Sequence, residues 1–306
     1  MSRNSPASKK RAGLTFISLQ INYSDAPLGA EITGLDLAQP VDQIALNAIE
    51  DIFHDRGVIV FRDQLLTEEQ HIAFSRRLGE LEIHVAAEYL RPGYPEILVV
   101  SNVIENGRNI GLADAGQYWH SDLSYIANPS RCSLLYALEV PVKDGSVLGE
   151  TLFASAAHAY ETLPDPMKSR LEGQRAIHSY GDRYKKQQAA GTRGALTEEQ
   201  LKKVPEISHP VVRPHPVTGR KVLFVNEGFT IRMEGIPQSE SDALLKELCA
   251  HLTRPATLYR HEWRKGDVLM WDNCLTQHRA IRNYELPLRR RMHRTTVAGL
   301  LSSHAV

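Results

Sequence analysis

Short runs rich in β-branched and aromatic residues recur at 14–22, 57–62, 96–101, 132–140, 150–154, 175–180, 208–213, 221–225, 257–263, 268–272 and 290–298, and each reads as a strand. Helical patterning interrupts them. Residues 42–56 repeat apolar positions at helical spacing, and "TEEQHIAFSRRLGE" opens with a capping box of Thr67 and Gln70. In "SESDALLKELCAHL" the residues Leu244, Leu245, Leu248 and Leu252 form one stripe, with Ser239 as the expected cap. Many short strands with helical excursions predict an α+β, mainly β architecture: an antiparallel sandwich or jelly roll decorated by helices, not a regular βαβ alternation. The polar, lysine-rich stretch near 181–207 reads as an insertion within residues 14–306, a single domain, and residues 1–13 read as a disordered basic tail. "PHPVTGR" reads as a hairpin with Thr218 and Gly219 at its tip.

Composition narrows the partners. Lys plus Arg and Asp plus Glu both total 36, so the broad positive field of a nucleic-acid binder is not expected. No apolar run approaches the roughly 18 residues of a membrane span, and no membrane partner is expected. Three cysteines without CxxC spacing argue against a disulfide framework or a thiolate zinc site, and point to a reducing, cytoplasmic setting.

The candidate chemistry begins in "QYWHSDLSY". If this segment is extended, His120 and Asp122 fall on one face roughly 6 to 7 Å apart, within reach of one metal ion, while Trp119 and Ser121 point the other way. An HxD pair alone is weak. Its weight comes from "GDVLMWDNCLTQH", where an apolar strand runs through Asp272 and Asn273 towards His278. Two imidazoles and one carboxylate with open positions form the facial triad of non-haem Fe(II) oxygenases, although zinc accepts the same donors. Asp272 and Asn273 either orient His278 or merely end the strand. In "RRRMHR" the strand period puts Arg290 and Arg294 on one face, about 13 Å apart, suited to two separate anions. His293 falls on the opposite face, as a packing or supporting residue. By itself this run reads first as a solvated basic edge strand. His158, His178, His209, His215, His251 and His261 are expected to be structural or surface residues.

"GAEITGLDL", "GVIVFRDQLLTEEQ", "WHSD", "GETLFAS", "HPVVRPHPVTGRKVLFVNEGFTIR", "WRKGDVLMWDNCLTQH" and "RRMHRTTVAG" together resemble the taurine dioxygenase family of Fe(II)/2-oxoglutarate-dependent oxygenases over nearly the whole chain. The resemblance implies a double-stranded β-helix core with helices outside. It implies that His120, Asp122 and His278 bind Fe(II), that Thr151 and Arg290 hold the distal carboxylate of 2-oxoglutarate, and that Arg294 meets the anionic end of the substrate. The implied reaction uses O2 and releases succinate and CO2. Family members are often dimers or tetramers, so a homo-oligomer is expected.

The substrate residues depart from the taurine pattern. His84 matches a substrate-contacting histidine, but Gly116 stands where the taurine enzymes carry asparagine, and the tyrosine expected after His84 is displaced to Tyr89. The expected substrate is a small anionic organic molecule other than taurine: a sulfonate, sulfate ester, phenoxyacetate or other carboxylate. Tyr118, Leu123, Tyr180 and Phe229 are expected to wall a larger, more apolar pocket. Two other readings keep the same residues: a zinc-dependent hydrolase, which has no use for Thr151 and Arg290 together, and a non-catalytic jelly-roll binding protein.

Overall fold

The computed structural model describes residues 19–113, 116–189 and 197–299. Eight strands form the main sheet, in the order Gln20–Tyr23, Ala30–Thr33, Val58–Phe61, Val268–Asp272, Cys132–Glu139, Arg291–Val297, Tyr94–Ser101 and Leu90–Arg91. Every pairing is antiparallel except that of Ala30–Thr33 with Val58–Phe61. Val58–Phe61 and Val268–Asp272 are buried along their whole length. Both of their faces are covered, which explains why they read as continuous apolar runs instead of alternating ones.

One face is covered by helices. Ile49 and Phe53 of the helix Gln43–Arg56, and Phe74 of Glu68–Arg76, pack with Ile59, Phe61, Leu134 and Met270. Asp42 caps the first helix by accepting from the N–H of Ala45, and the Thr67–Gln70 capping box is present at the second. Gly57 ends the first helix at φ 66°, where a Cβ would lie 3.0 Å from the Leu28 side chain, so the turn into Val58–Phe61 needs glycine on both counts.

The other face meets a three-stranded sheet, Leu258–His261, Thr151–Ser155 and Thr276–Ala280. Phe153 and Trp263 pack there against Val58, Leu135, Leu269, Trp271 and Met292. Burying such aromatic area is the main favourable term holding the sheets together. A further apolar cluster gathers the helix Gln238–Leu252 with Val222, Val225 and Met233. Leu244, Leu245, Leu248 and Leu252 form its buried stripe, as their spacing predicts.

Three expectations need correction. Ser239 does not cap its helix: the helix starts two residues earlier than such a cap implies, at Gln238 after Pro237, without a side-chain cap. The predicted strand 208–213 is two short strands, Ile207–Pro210 and Val212–Pro214, in different sheets. The stretch 181–207, read as the least regular region of the chain, is helical over much of its described length, since it carries most of the helix Tyr180–Ala189 and all of Glu198–Lys203. The hairpin holds, with Gly219 at φ 69° donating to the carbonyl of His215. Residues 1–13, and the first five of the predicted strand 14–22, lie outside the described residues. Among the described residues no helix is long and apolar enough to cross a membrane.

Thr67→Ala removes one half of the capping box and is expected to lower stability by about 1 kcal/mol. Urea titration with an unchanged slope would register it; an unchanged midpoint would show that the box contributes nothing.

Candidate metal centre

His120 and His278 are brought together by backbone. Each donates its N–H to the other's carbonyl, at 3.2 Å from His120 and 2.8 Å from His278, in an isolated antiparallel bridge. The two rings consequently lie 4.1 Å apart. His278 belongs to the strand Thr276–Ala280, whose polar sequence hid it from the hydrophobic pattern.

Asp122 reaches the same point by a turn. The segment "QYWHSDLSY" is not a strand beyond His120: residues 122–125 form a turn, and Leu123 takes φ 54°. Its carboxylate Oδ1 lies 3.7 Å from His120 Nε2, and one ligand atom from each of His120, Asp122 and His278 lies within 4.8 Å of the others. Trp119 does point away, into the cluster behind the small sheet.

A hydrogen-bonded cage fixes Asp122. Ser133 Oγ donates to Oδ2 at 2.7 Å and Arg294 Nη1 to Oδ1 at 2.9 Å. Asn273 Oδ1 accepts the Asp122 backbone N–H at 3.3 Å, and Asn273 Nδ2 donates to Ser130 and Ser133. Asn273 thus serves Asp122. Asp272 does something different: its Oδ1 accepts the N–H groups of Cys274 and Leu275, and its Oδ2 pairs with His215 at 3.0 Å, which shapes the turn leading to His278. His215 is in this sense a structural residue, as expected.

Electrostatics suit the cluster to a divalent cation. Burial pushes the Asp122 carboxyl up, but Arg294, His278 and His120 outweigh it and hold it below the usual carboxylate range. Burial lowers both imidazoles, His278 the further, so each stays neutral and keeps a lone pair. His120 Nδ1 lies 2.9 Å from the carbonyl of Tyr118, a bond that puts the proton there and leaves Nε2 free towards Asp122. Glycine at 116 has a local cause: at φ 68°, a Cβ there would lie 3.0 Å from His120 Cε1.

A narrow cavity opens beside the cluster, lined by His120, His278, Thr151, Phe153, Trp263, Trp271, Arg290 and Arg294 among others. Arg290 and Arg294 do share this wall. Arg290 is only 4% exposed, and no carboxylate among the described residues pairs with it. Its Nε lacks a partner, as does Nε1 of Trp271. Trp263, which the sequence reading missed, donates its indole N–H to Thr151 Oγ1 at 3.0 Å. Two buried donors without acceptors, beside a hydroxyl held in place, describe the seat of an anion.

The expected substrate residues divide. The rings of Tyr118 and Phe229 lie 5.0 and 6.0 Å from that of His120. Tyr180 sits behind them, in one cluster with Tyr125 and Phe229 against which Leu123 packs. His84 is half-buried and accepts from the N–H of Ala86, and none of His84, Tyr118, Leu123, Tyr180 and Phe229 is among the residues lining the cavity, so the expected pocket wall is not where the sequence put it.

The family described as "Taurine catabolism dioxygenase TauD, TfdA family" matches residues 20–296. The chain belongs to this family. It is 33% identical over 299 residues to the alpha-ketoglutarate-dependent 2,4-dichlorophenoxyacetate dioxygenase of Burkholderia sp. (strain RASC), covering 92% of this chain and 95% of that one. It is 32% identical to the (S)-phenoxypropionate/alpha-ketoglutarate-dioxygenase of Sphingobium herbicidovorans, covering 90% and 93%. A crystal structure of a taurine dioxygenase from Burkholderia xenovorans superposes with a TM-score of 0.76 at 32% identity, covering 93% and 90%. The TauD/TfdA protein is accordingly an Fe(II)- and 2-oxoglutarate-dependent dioxygenase.

Asn273→Ala strips one partner from Asp122, Ser130 and Ser133 together. A loss of about 1–3 kcal/mol in folding stability is expected, read from the urea midpoint; a neutral variant would show that water replaces the amide at no cost.

Proposed function

We propose that His120, Asp122 and His278 hold the ferrous ion, that Thr151 and Arg290 hold the distal carboxylate of 2-oxoglutarate, and that a small organic anion anchored by Arg294 is hydroxylated beside them. The observation that carries this reading is Arg290: a buried guanidinium without a carboxylate partner, in the same cavity as a clustered His-Asp-His set. A hydrolytic zinc site gives that arginine nothing to do. The overall reaction takes R–H, 2-oxoglutarate and O2 to R–OH, succinate and CO2.

Bound ferrous iron supplies the oxygen chemistry. The remaining work belongs to side chains. Trp263 occupies a lone pair of Thr151 Oγ1, which leaves the Thr151 proton free to donate to a carboxylate. Arg290 offers a fork that fits a carboxylate with two parallel hydrogen bonds. Phe153 and Trp271 lie 5.9 and 4.8 Å from the His278 ring and keep water from that side. Arg294 bonds to Asp122 and also borders the cavity, so it can seat the substrate anion next to the reacting centre.

For the substrate, the aromatic rings of Phe153, Trp263 and Trp271 that line the cavity favour a planar body, and relatives are named for phenoxy carboxylates. An aryloxyalkanoate is the preferred class within the small organic anions. The two facing sheets form the walls of a double-stranded β-helix in a single catalytic domain. A homo-oligomer in the cytoplasm completes the proposal.

Asp122→Ala is expected to abolish iron binding and 2-oxoglutarate turnover while circular dichroism stays native; full turnover would remove Asp122 from the ligand set. Arg290→Lys keeps charge but loses the fork, and is expected to raise the KM for 2-oxoglutarate by at least about tenfold. Arg294→Ala should weaken the prime substrate selectively, and an equal loss for 2-oxoglutarate would reassign it. The deciding assay is substrate-stimulated succinate release across aryloxyalkanoates, sulfonates, sulfate esters and amino-acid derivatives: stimulation by none of these anions would overturn the substrate class.

A further inference from the structure

The strand Arg291–Val297 has two faces, and only one borders the metal cluster. Residues Arg290 and Arg294 line that side, whereas Arg291 and His293 line a separate cavity of about 520 Å³ on the other side of the main sheet. The neighbouring strand repeats the division: Leu135 belongs to the metal side, and Tyr136 and Leu138 to the second cavity. The helix Glu68–Arg76 supplies Glu68 and His71 to it, and Lys265 stands at its rim.

The charges in this cavity do not cancel. Glu68 is taken by Arg91 at 3.0 Å and Glu139 by Arg289 at 2.8 Å, while neither Arg291 nor Lys265 has a carboxylate partner among the described residues. His293 is 3% exposed, lines the cavity and has no partner at Nε2, and Arg291 has none at Nε. Tyr136 is already committed, accepting the N–H of Leu66 and donating to the carbonyl of Gln64. What remains is two cations and a buried unpaired imidazole around a space within the range of small-molecule sites. Buried polar atoms are satisfied by a partner, and the partner that Nε of Arg291 lacks is an acceptor.

We propose that this cavity is a second binding site, for a small organic carboxylate, separated from the metal centre by the thickness of the sheet. Arg291 and Lys265 grip the carboxylate, and the stem lies against Leu66 and Leu138.

The test uses the holoenzyme, loaded with iron and a single equivalent of 2-oxoglutarate without oxygen, so that the Arg290 seat is filled and no excess is left to occupy the second cavity. Glutarate, which lacks the keto group, is titrated in by calorimetry. The expected result is saturable binding to the loaded enzyme that weakens by at least about tenfold in both Lys265→Glu and Arg291→Gln, with 2-oxoglutarate binding to the metal centre unchanged. Lys265 is exposed, so its reversal leaves the fold intact. No glutarate binding to the loaded enzyme, or binding that survives both substitutions, would overturn the proposal. So would binding that appears only when 2-oxoglutarate is withheld, because it would place glutarate in the Arg290 seat.

Discussion

Two backbone hydrogen bonds between His120 and His278 hold the centre of this protein together. They join a loop to a strand far away in sequence, and their antiparallel geometry puts both imidazoles on the same side at a separation that packing alone would not define. Asp122 then needs only a tight turn to complete the set, and Leu123 accepts a left-handed conformation to provide it. A non-glycine residue at positive φ costs of order 1 kcal/mol, and such strain collects where a site demands an unusual direction from the chain.

Support for the centre is divided among different elements. Ser133 on the main sheet holds one oxygen of Asp122, Arg294 on the adjacent strand holds the other, and Asn273 ties Ser133 and Ser130 to the Asp122 backbone in one network. Asp272 and His215 fix the following turn. Every one of these groups is polar and sits at the seam between two apolar layers, where an unpaired member would be costly and a fully paired set is rigid. The low dielectric that makes the network strict also keeps the two imidazoles neutral.

The sequence made the strands of the sandwich visible because their β-branched runs have few other uses, and the capping box at Thr67 located a helix start to the residue. It also placed Arg290 and Arg294 on one wall through simple alternation. Where the pattern carried no apolar signal, the reading lost its grip. Thr276–Ala280 is buried only over its first three residues and is polar there, with His278 facing the centre instead of a core. The turn at 122–125 could not be read as a turn, since nothing in "SDLS" demands positive φ at leucine. Trp263 carried no signal of its own in the sequence, and only its distance to Thr151 gives the indole a directional role.

The strand Arg291–Val297 tolerates exchange of side chains far better than change of length. Its even and odd positions look into unlike compartments, and its pairing with Cys132–Glu139 already contains one register shift, between Arg291 and Met292. Removing a single residue there would turn Met292 and Arg294 towards the second cavity and carry His293 in beside the His-Asp-His cluster, exchanging the linings of both compartments at a stroke. Substitution can retune what either compartment accepts, whereas an insertion or deletion in this strand trades one for the other.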